Sequence, residues 1–264
     1  MSKPRSYQTE AIIIRKTKLG EADRILTFYT PSLGKIQGVA KGVRRPKSKL
    51  AGHLELITHS LVSLARGRNL DTVTGSQTIN GFFKIKNDLW LTSCALYAGE
   101  LVNQFTAEDI ENRSLFDLLL ATLKRLEEGG NVELVLRYFE MQLLTGAGYR
   151  PELRNCVVCH HSLEPETNYF CLKTGGLACP GCAVSEPFSY PLSVNAQKVL
   201  RLFQDDSYAT ARRLRLRGEL NREIEQTMAD YFKYLLERDV KSAMWLRELR
   251  QQIDNLGPGT ADQP

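Results

Sequence analysis

The sequence predicts an α+β chain of several domains: a small N-terminal β-barrel, a helical domain interrupted in its middle, and a four-cysteine zinc element as the interruption. Three observations carry that prediction. The hydrophobic period changes from two to about 3.6 near residue 88. Positive charge is concentrated in the first third of the chain, and two Cys-x-x-Cys pairs stand 19 residues apart. At 264 residues, 42% hydrophobic and 25% charged, the chain is long enough for one large core or for two to three smaller ones.

The first 80 residues read as strands and turns. YQTEAIIIRK over 7–16 is rich in β-formers, LGEAD breaks it, and RILTFYT over 24–30 resumes. PSLG turns into KIQGVAK at 35–41. After a long loop come LITHSLVSLA at 56–65, the turn RGRN at 66–69, and a last strand over 70–79. Five short strands with one long loop predict a barrel of the oligonucleotide-binding (OB) kind over residues 1–82. An SH3-like barrel or a twisted meander has the same pattern.

Helical stripes follow. Leu91, Ala95, Ala98, Val102 and Phe105 form one; Leu115, Leu118, Leu119, Thr122, Leu123 and Leu126 a second; Val132, Val135, Phe139 and Leu143 a third, ending at Gly146-Ala147-Gly148 before Pro151. They predict the first part of a helical domain at 83–150. Helix returns over 195–203 and 220–236, giving a second part at 191–252. The polar, Gly- and Pro-rich end, residues 253–264, is expected to be a disordered tail.

Between the two parts, at 151–190, lie Cys156-Val-Val-Cys159 and Cys179-Pro-Gly-Cys182. Each turn lets two thiolates converge on one ion, and Gly175-Gly176 suits the hairpin that folds one turn over the other. The expected cofactor is a structural Zn²⁺ bound by Cys156, Cys159, Cys179 and Cys182. Four protein ligands leave no position for a catalytic water. Cys171 and His160 are the alternatives for one of the four places, and Cys94 reads as a small core residue in a helix.

Residues 1–86 carry 16 Lys and Arg against 5 Asp and Glu, whereas residues 87–264 carry 19 against 25. The basic character belongs to the barrel, and its densest stretch places Lys41, Arg44, Arg45, Lys47 and Lys49 in nine residues without one acid. Clustered cations release counterions from phosphates and steer association, so a polyanion, nucleic acid first, is the expected partner. Enzymatic constellations are missing: there is no P-loop, no H-E-x-x-H and no G-x-S-x-G. Glu21 and Asp23, in a Gly-containing turn, suit chain capping better than Mg²⁺ binding. The chain is expected to be a binder and not an enzyme. No stretch approaches 18 apolar residues, and AIII at 11–14 is too short for a signal peptide, so no membrane and a cytoplasmic location are expected.

The N-terminal words YQTEAIIIR, LGEADRILTFYTP, GKIQGVAKGVRRPKSKLAGHLE and RGRNLDTVT, in that order and spacing, strongly resemble the RecO family of bacterial recombination mediators. The likeness continues through the CVVC and CPGC pairs and VKSAMWL near the end. It implies an OB domain, a helical domain and a cysteine-rich zinc element. It also implies binding of single- and double-stranded DNA, annealing of complementary strands, work with RecR and the single-stranded DNA-binding protein in loading RecA at gaps, and association with the bacterial nucleoid. By matched motif, the five cations of the basic loop and Arg66 and Arg68 in the turn between the fourth and fifth strands are the DNA-binding residues, with Lys35 extending the path. Tyr29 or Phe28 offers a base-stacking surface if it is not buried in the barrel. A second basic patch, Arg212, Arg213, Arg215 and Arg217, suits a second strand or the acidic tail of the single-stranded DNA-binding protein; surface pairing with Glu219, Glu223 and Asp230 is the plainer reading. A zinc-ribbon regulatory factor for DNA or RNA has a similar composition, but should prefer particular sequences.

Overall fold

A computed structural model of the chain describes residues 5–216 and 218–256, with side chains to residue 252. It comprises two compact units, residues 1–127 with 240–264, and residues 128–239.

The first unit is built on β1 (Ser6–Leu19), β2 (Asp23–Thr30), β3 (Gly34–Ala40), β4 (His59–Ala65) and β5 (Asp71–Asn80), closed into a barrel in the order β1-β2-β3-β5-β4. The pairs are antiparallel except for a short parallel contact between β3 and β5. One long strand serves two neighbours: β1 pairs with β4 through Ile12, then with β2, its register shifting between Ile13 and Arg15. Inward residues Ala11, Ile13, Leu26, Phe28, Ile36, Val62, Leu64 and Val73 fill the barrel. The AIII run is buried on both faces because Ile14, pointing outward, lies under a helix in which a Cβ at Gly99 would approach it to 3.7 Å.

That helix is α2 (Leu89–Phe105), which follows the short α1 (Phe83–Asn87) and is capped by Asp88, whose carboxylate accepts the Leu91 N–H at 2.8 Å. Next comes α3 (Arg113–Glu128), started by Asn112, which accepts from the Leu115 N–H.

In the second unit, α4 (Val132–Gly146) begins at the Asn131 cap and stops at Ala147, with Gly148 in the left-handed region. A three-stranded sheet, β6 (Asn168–Cys171), β7 (Gly176–Ala178) and the strand β8 (Ser189–Leu192), holds the one-turn helix α5 (Pro180–Ala183) between its second and third strands in sequence. Then follow α6 (Val194–Asp205), α7 (Tyr208–Ala211) and α8 (Gly218–Leu236). The Glu223 carboxylate on α8 accepts both the N–H and the hydroxyl of Ser193, the α6 cap, at 2.6 Å. Phe170 of β6 packs edge-on to Tyr231 of α8, ring centres 5.3 Å apart, so the cysteine sheet is seated on that helix.

The chain then returns to the first unit as α9 (Lys241–Leu256), which packs on α2. The Glu100 carboxylate of α2 accepts the Lys241 and Ser242 N–H groups, and the Trp245 indole donates to the Ser93 hydroxyl at 3.2 Å. Helix therefore continues four residues past 252, where the tail was expected to begin. The last residues of that tail, 257–264, lie outside the described residues.

Candidate nucleic-acid interface and metal centre

The basic loop leaves β3 at Lys41 and is tied at once to the β1–β2 turn. The Gly42 N–H donates to Asp23 Oδ1 at 2.7 Å, the Arg44 N–H to the Ala22 carbonyl at 3.0 Å, and the Arg44 guanidinium to the Gly20 carbonyl at 3.2 Å. Asp23 thus orients the chain, the role its place in a turn suggested. Val43 and Leu54 sink into the barrel core and pin the loop at both ends. Between them two turns, Arg45 N–H to Gly42 and Ser48 N–H to Arg45, throw the charged side chains outward. Lys41, Arg44, Arg45, Lys47 and Lys49 are all exposed, and none forms an ion pair among the described residues.

Two cations that the motif reading passed over belong to the same end. Lys18 and Arg24 flank the β1–β2 turn and are direct partners across the hairpin. Like charges directly opposed in a sheet destabilise it. Their signal was present in the sequence as basic residues on either side of a Gly-containing turn.

Arg66 and Arg68 are exposed too, but the register separates them from the loop. Because Gly38 and Val39 pair in parallel with Asp71 and Thr72, the β4–β5 turn lies toward the start of β3, whereas the basic loop leaves from its end. The Arg66 guanidinium stacks on the Tyr7 ring at 4.7 Å, and the Tyr7 hydroxyl donates to Asp71 at 2.6 Å. Beside this turn is a cleft of about 530 Å³ lined by Asp71, Glu108, Asp109 and Glu111. The barrel is thus densely cationic at one end of β3, while at the other the acids line a cleft together with Lys35 and Arg66.

Lys35, expected to extend the path along β3, is engaged within the chain. Its ammonium donates to the Asn103 and Thr106 carbonyls at 2.7 and 2.5 Å, capping the end of α2, and burial holds its pKa below the ordinary lysine value. The α2–α3 connector lies along β3: the Asp109 N–H donates to the Lys35 carbonyl, and Gln37 donates to Glu108. Tyr29 and Phe28 are both fully buried, the alternative under which neither offers a stacking surface. Phe28 points into the barrel, and Tyr29 points outward but sits under Phe116 of α3, ring centres 6.5 Å apart. On the outer face of β2 and β3, where OB domains commonly bind oligonucleotides, Phe116 of α3 lies over Tyr29 and the α2–α3 connector runs along β3.

In the second basic run, Arg212 and Arg213 lie in a turn after α7 and Arg215 outside any helix or strand, all exposed, with Leu216 buried and Leu214 half-buried. None of the three is paired with Glu219, Glu223 or Asp230 among the described residues. Arg217 lies outside the described residues.

The four expected cysteines come together. Their sulfurs lie within 4.8 Å of one another, and no His or other Cys joins them among the described residues. The first knuckle closes through the His160 N–H to the Cys156 carbonyl, with His160 itself at φ 62°, and the second through the Cys182 N–H to the Cys179 carbonyl. The Val157 N–H donates to the Leu177 carbonyl on β7, so the strand leading into Cys179 is bonded directly to the first knuckle. Gly175 and Gly176 are required at the reversal: a Cβ on Gly175 would meet the Tyr231 hydroxyl at 2.4 Å, and one on Gly176 the Glu152 carbonyl at 2.5 Å. Cys171 stays apart; burial raises its thiol to about 11.

The electrostatics of the set favour a cation. Burial alone would raise Cys156, but the N–H groups of Cys159, Cys179 and Val158 aimed at its sulfur outweigh that and hold it at about 6. Cys182, crowded by the thiols of Cys179 and Cys159, is pushed up to about 12. Four sulfurs this close cannot all ionise without positive charge among them, and four sulfurs about 2.3 Å from a tetrahedral metal would stand about 3.8 Å from one another, inside the 4.8 Å spread of the set. The residues fit a metal ion.

Comparison with known proteins bears on both units. Residues 1–82 match the family model "Recombination protein O N terminal" and residues 86–244 match "Recombination protein O C terminal". The chain is 48% identical over 250 residues to DNA repair protein RecO of Dehalococcoides mccartyi strain CBDB1, covering 95% of this chain and 98% of that one. It is 41% identical over 256 residues to DNA repair protein RecO of Roseiflexus sp. strain RS-1, covering 97% and 90%. At 33% over 254 residues it is similar to DNA repair protein RecO of Desulforamulus reducens, covering 96% and 98%. With both halves matched in order and relatives aligned over nearly their whole length, the chain belongs to the RecO family.

Proposed function

We propose that this chain is a recombination mediator in DNA repair: it binds single- and double-stranded DNA by phosphate contacts at the cationic end of its barrel, anneals complementary strands without nucleotide hydrolysis, and acts with RecR in loading RecA at gaps. One observation carries the reading. Lys41, Arg44 and Arg45 are fastened beside the turn that bears Lys18 and Arg24, with no acid paired to any of them among the described residues. A surface that holds like charges together at a cost in stability suits a polyanion that removes the cost.

Annealing follows from where the charge is and where aromatic surface is not. Two strands repel through their phosphates, and neutralising those phosphates lowers the barrier to pairing. Because Tyr29 and Phe28 are buried, a strand held by the loop keeps its bases unstacked from protein and its pairing edges free. The binding is indifferent to sequence, since phosphate contacts position without reading bases. RecR, RecA and the tail of the single-stranded DNA-binding protein enter as partners through family membership. The cysteine set holds Zn²⁺ as a structural ion, which crosslinks the two knuckles and supports the sheet seated on α8.

The test is annealing of two complementary fluorescent oligonucleotides, without nucleotide, at low and moderate salt. The wild-type chain is expected to accelerate pairing, and Lys41→Ala/Arg44→Ala/Arg45→Ala to lose most of that. If about five phosphates are neutralised, log affinity for single strands should fall against log salt with a slope near −3.5. A flat salt response would sink the reading.

A further inference from the structure

The second unit carries a cationic cluster that the basic loop does not explain. Residues 150–154 run as a strap over α6, with Pro151 and Leu153 turned inward and Arg150 and Arg154 outward. The strap is fixed along its length. Gln204 donates to the Pro151 carbonyl at 2.7 Å, and Arg201 donates to the Leu153 carbonyl at 2.7 Å. Arg150 and Arg154 then each give one N–H to the same carboxylate, Arg150 to Asp205 Oδ1 at 2.8 Å and Arg154 to Oδ2 at 2.5 Å.

The two guanidiniums share the Asp205 carboxylate and leave most of their donors unused; with Arg201 beside Arg154 and Glu152 near both forks, three arginines face two acids and the cluster keeps a net positive charge. Arg150 is 50% exposed and Arg154 64% exposed, and neither guanidinium has another hydrogen-bond acceptor among the described residues. Lys198, one turn before Arg201 on α6, is exposed as well. The other nearby acid, Glu152, accepts the Arg154 and Asn155 N–H groups with one carboxylate oxygen and also attracts both guanidiniums, offsetting part of their charge. Two guanidinium forks set side by side on a rigid strap match an anion with more than one free oxygen, and a phosphodiester is such an anion.

We infer that Arg150 and Arg154, oriented by Asp205, form a second phosphate-binding site that takes the backbone of a second nucleic-acid strand. The inference rests on the DNA-binding reading above, but on a different unit and different residues. It gives strand pairing what one site lacks, since annealing needs two strands held by one protein. The site reads no sequence, because it offers forks to phosphates and no groups to base edges.

The experiment uses the full chain and two non-complementary oligothymidylates carrying donor and acceptor dyes, so that energy transfer reports two strands on one protein without base pairing. Wild type is expected to bring the dyes together. Arg150→Gln/Arg154→Gln should hold the first strand within about twofold, lose at least about tenfold in capture of the second, and lower the salt slope for that capture by about 1.4, two phosphates' worth for single strands. Arg150→Lys/Arg154→Lys, which restores charge, should recover most of the capture. An unchanged melting temperature in the glutamine variant separates lost binding from lost folding. Second-strand capture unaffected by the glutamine pair overturns the proposal. So does an acidic peptide that binds at these arginines without being displaced by oligonucleotide, which would assign the cluster to a protein partner. If Lys41→Ala/Arg44→Ala/Arg45→Ala leaves first-strand binding intact while the glutamine pair still abolishes capture, the basic-loop reading fails and this site stands.

Discussion

Lys18 and Arg24 are paired directly across the β1–β2 hairpin, cation against cation, one residue from each end of the turn to which Arg44 is bonded. Such a pair works against the strands that carry it. Replacing both by Thr should raise the stability of the barrel by about 0.2–1 kcal/mol, seen as a higher denaturant midpoint at low salt. The same variant should bind DNA more weakly and with a shallower salt slope. A gain in stability with DNA affinity untouched would mean that the pair has no part in binding.

Tyr29 separates packing from stacking. Tyr29→Phe removes only a long contact from its hydroxyl to the Asn112 carbonyl, at 3.5 Å, and should change both stability and DNA affinity little. Tyr29→Ala opens a hole beneath Phe116 and should cost about 3–5 kcal/mol in thermal or denaturant unfolding. Were Tyr29 a stacking platform, the alanine variant would lose DNA binding while keeping its melting temperature.

Gly34 is where the α2–α3 connector presses on the barrel. Its φ is 64°, and a Cβ there would stand 1.9 Å from the Ile110 carbonyl oxygen, a backbone atom that cannot swing aside. Gly34→Ala should therefore destabilise the first unit by at least about 1–3 kcal/mol. Chemical denaturation of the two proteins side by side measures it.

Metal content should follow the four-cysteine set and ignore the fifth. Cys156→Ser or Cys179→Ser is expected to lose bound zinc and to lower the melting temperature of the second unit, as chelation would in the wild type. Cys171→Ser should keep one equivalent of metal per chain. Loss of the metal in the Cys171 variant would put that sulfur in the coordination sphere.

His59 makes the barrel sensitive to acid. Burial holds its pKa below the ordinary 6.5, while Glu10, at 3.3 Å, pulls the other way and Lys124 adds to the lowering. A depressed folded value means that the unfolded chain takes up the proton first. The stability due to neutral His59 is therefore complete above about 6.5 and is lost as pH falls through the lowered value. His59→Gln should flatten the stability profile over that window. Equal slopes for the two proteins would show that the buried ring does not titrate there.

Much of this arrangement was legible in the chain. Period-two patterning and Gly-Pro breaks located all five strands to within a few residues, because a closed barrel buries alternate side chains and the turns must be short. Spacing alone brought Cys156, Cys159, Cys179 and Cys182 together, since each knuckle is a local turn and the reversal between them needs the two glycines. The helices α2, α3, α4, α6 and α8 announced themselves by stripes. The helix α9 was not read as a separate helix within the helical part expected to residue 252, its buried positions Leu246 and Leu249 being set among charged and amide residues.

What the sequence by itself determined, then, is which segments are strands, helices and knuckles and where the positive charge is concentrated, for those depend on short-range patterning and composition. The roles of single residues were decided by tertiary structure. Lys35 looked like one more cation for DNA until the end of α2 claimed its ammonium, and Tyr29, a candidate for burial in the barrel, is buried by α3 on the barrel's outside. Arg66 and Arg68 were parted from the basic loop by the parallel register of β3 and β5, and Arg150 was joined to Arg154 by Asp205, 51 residues beyond the latter. Each outcome depends on a contact between residues distant in the chain, and local pattern carries no record of which distant surface a side chain will meet.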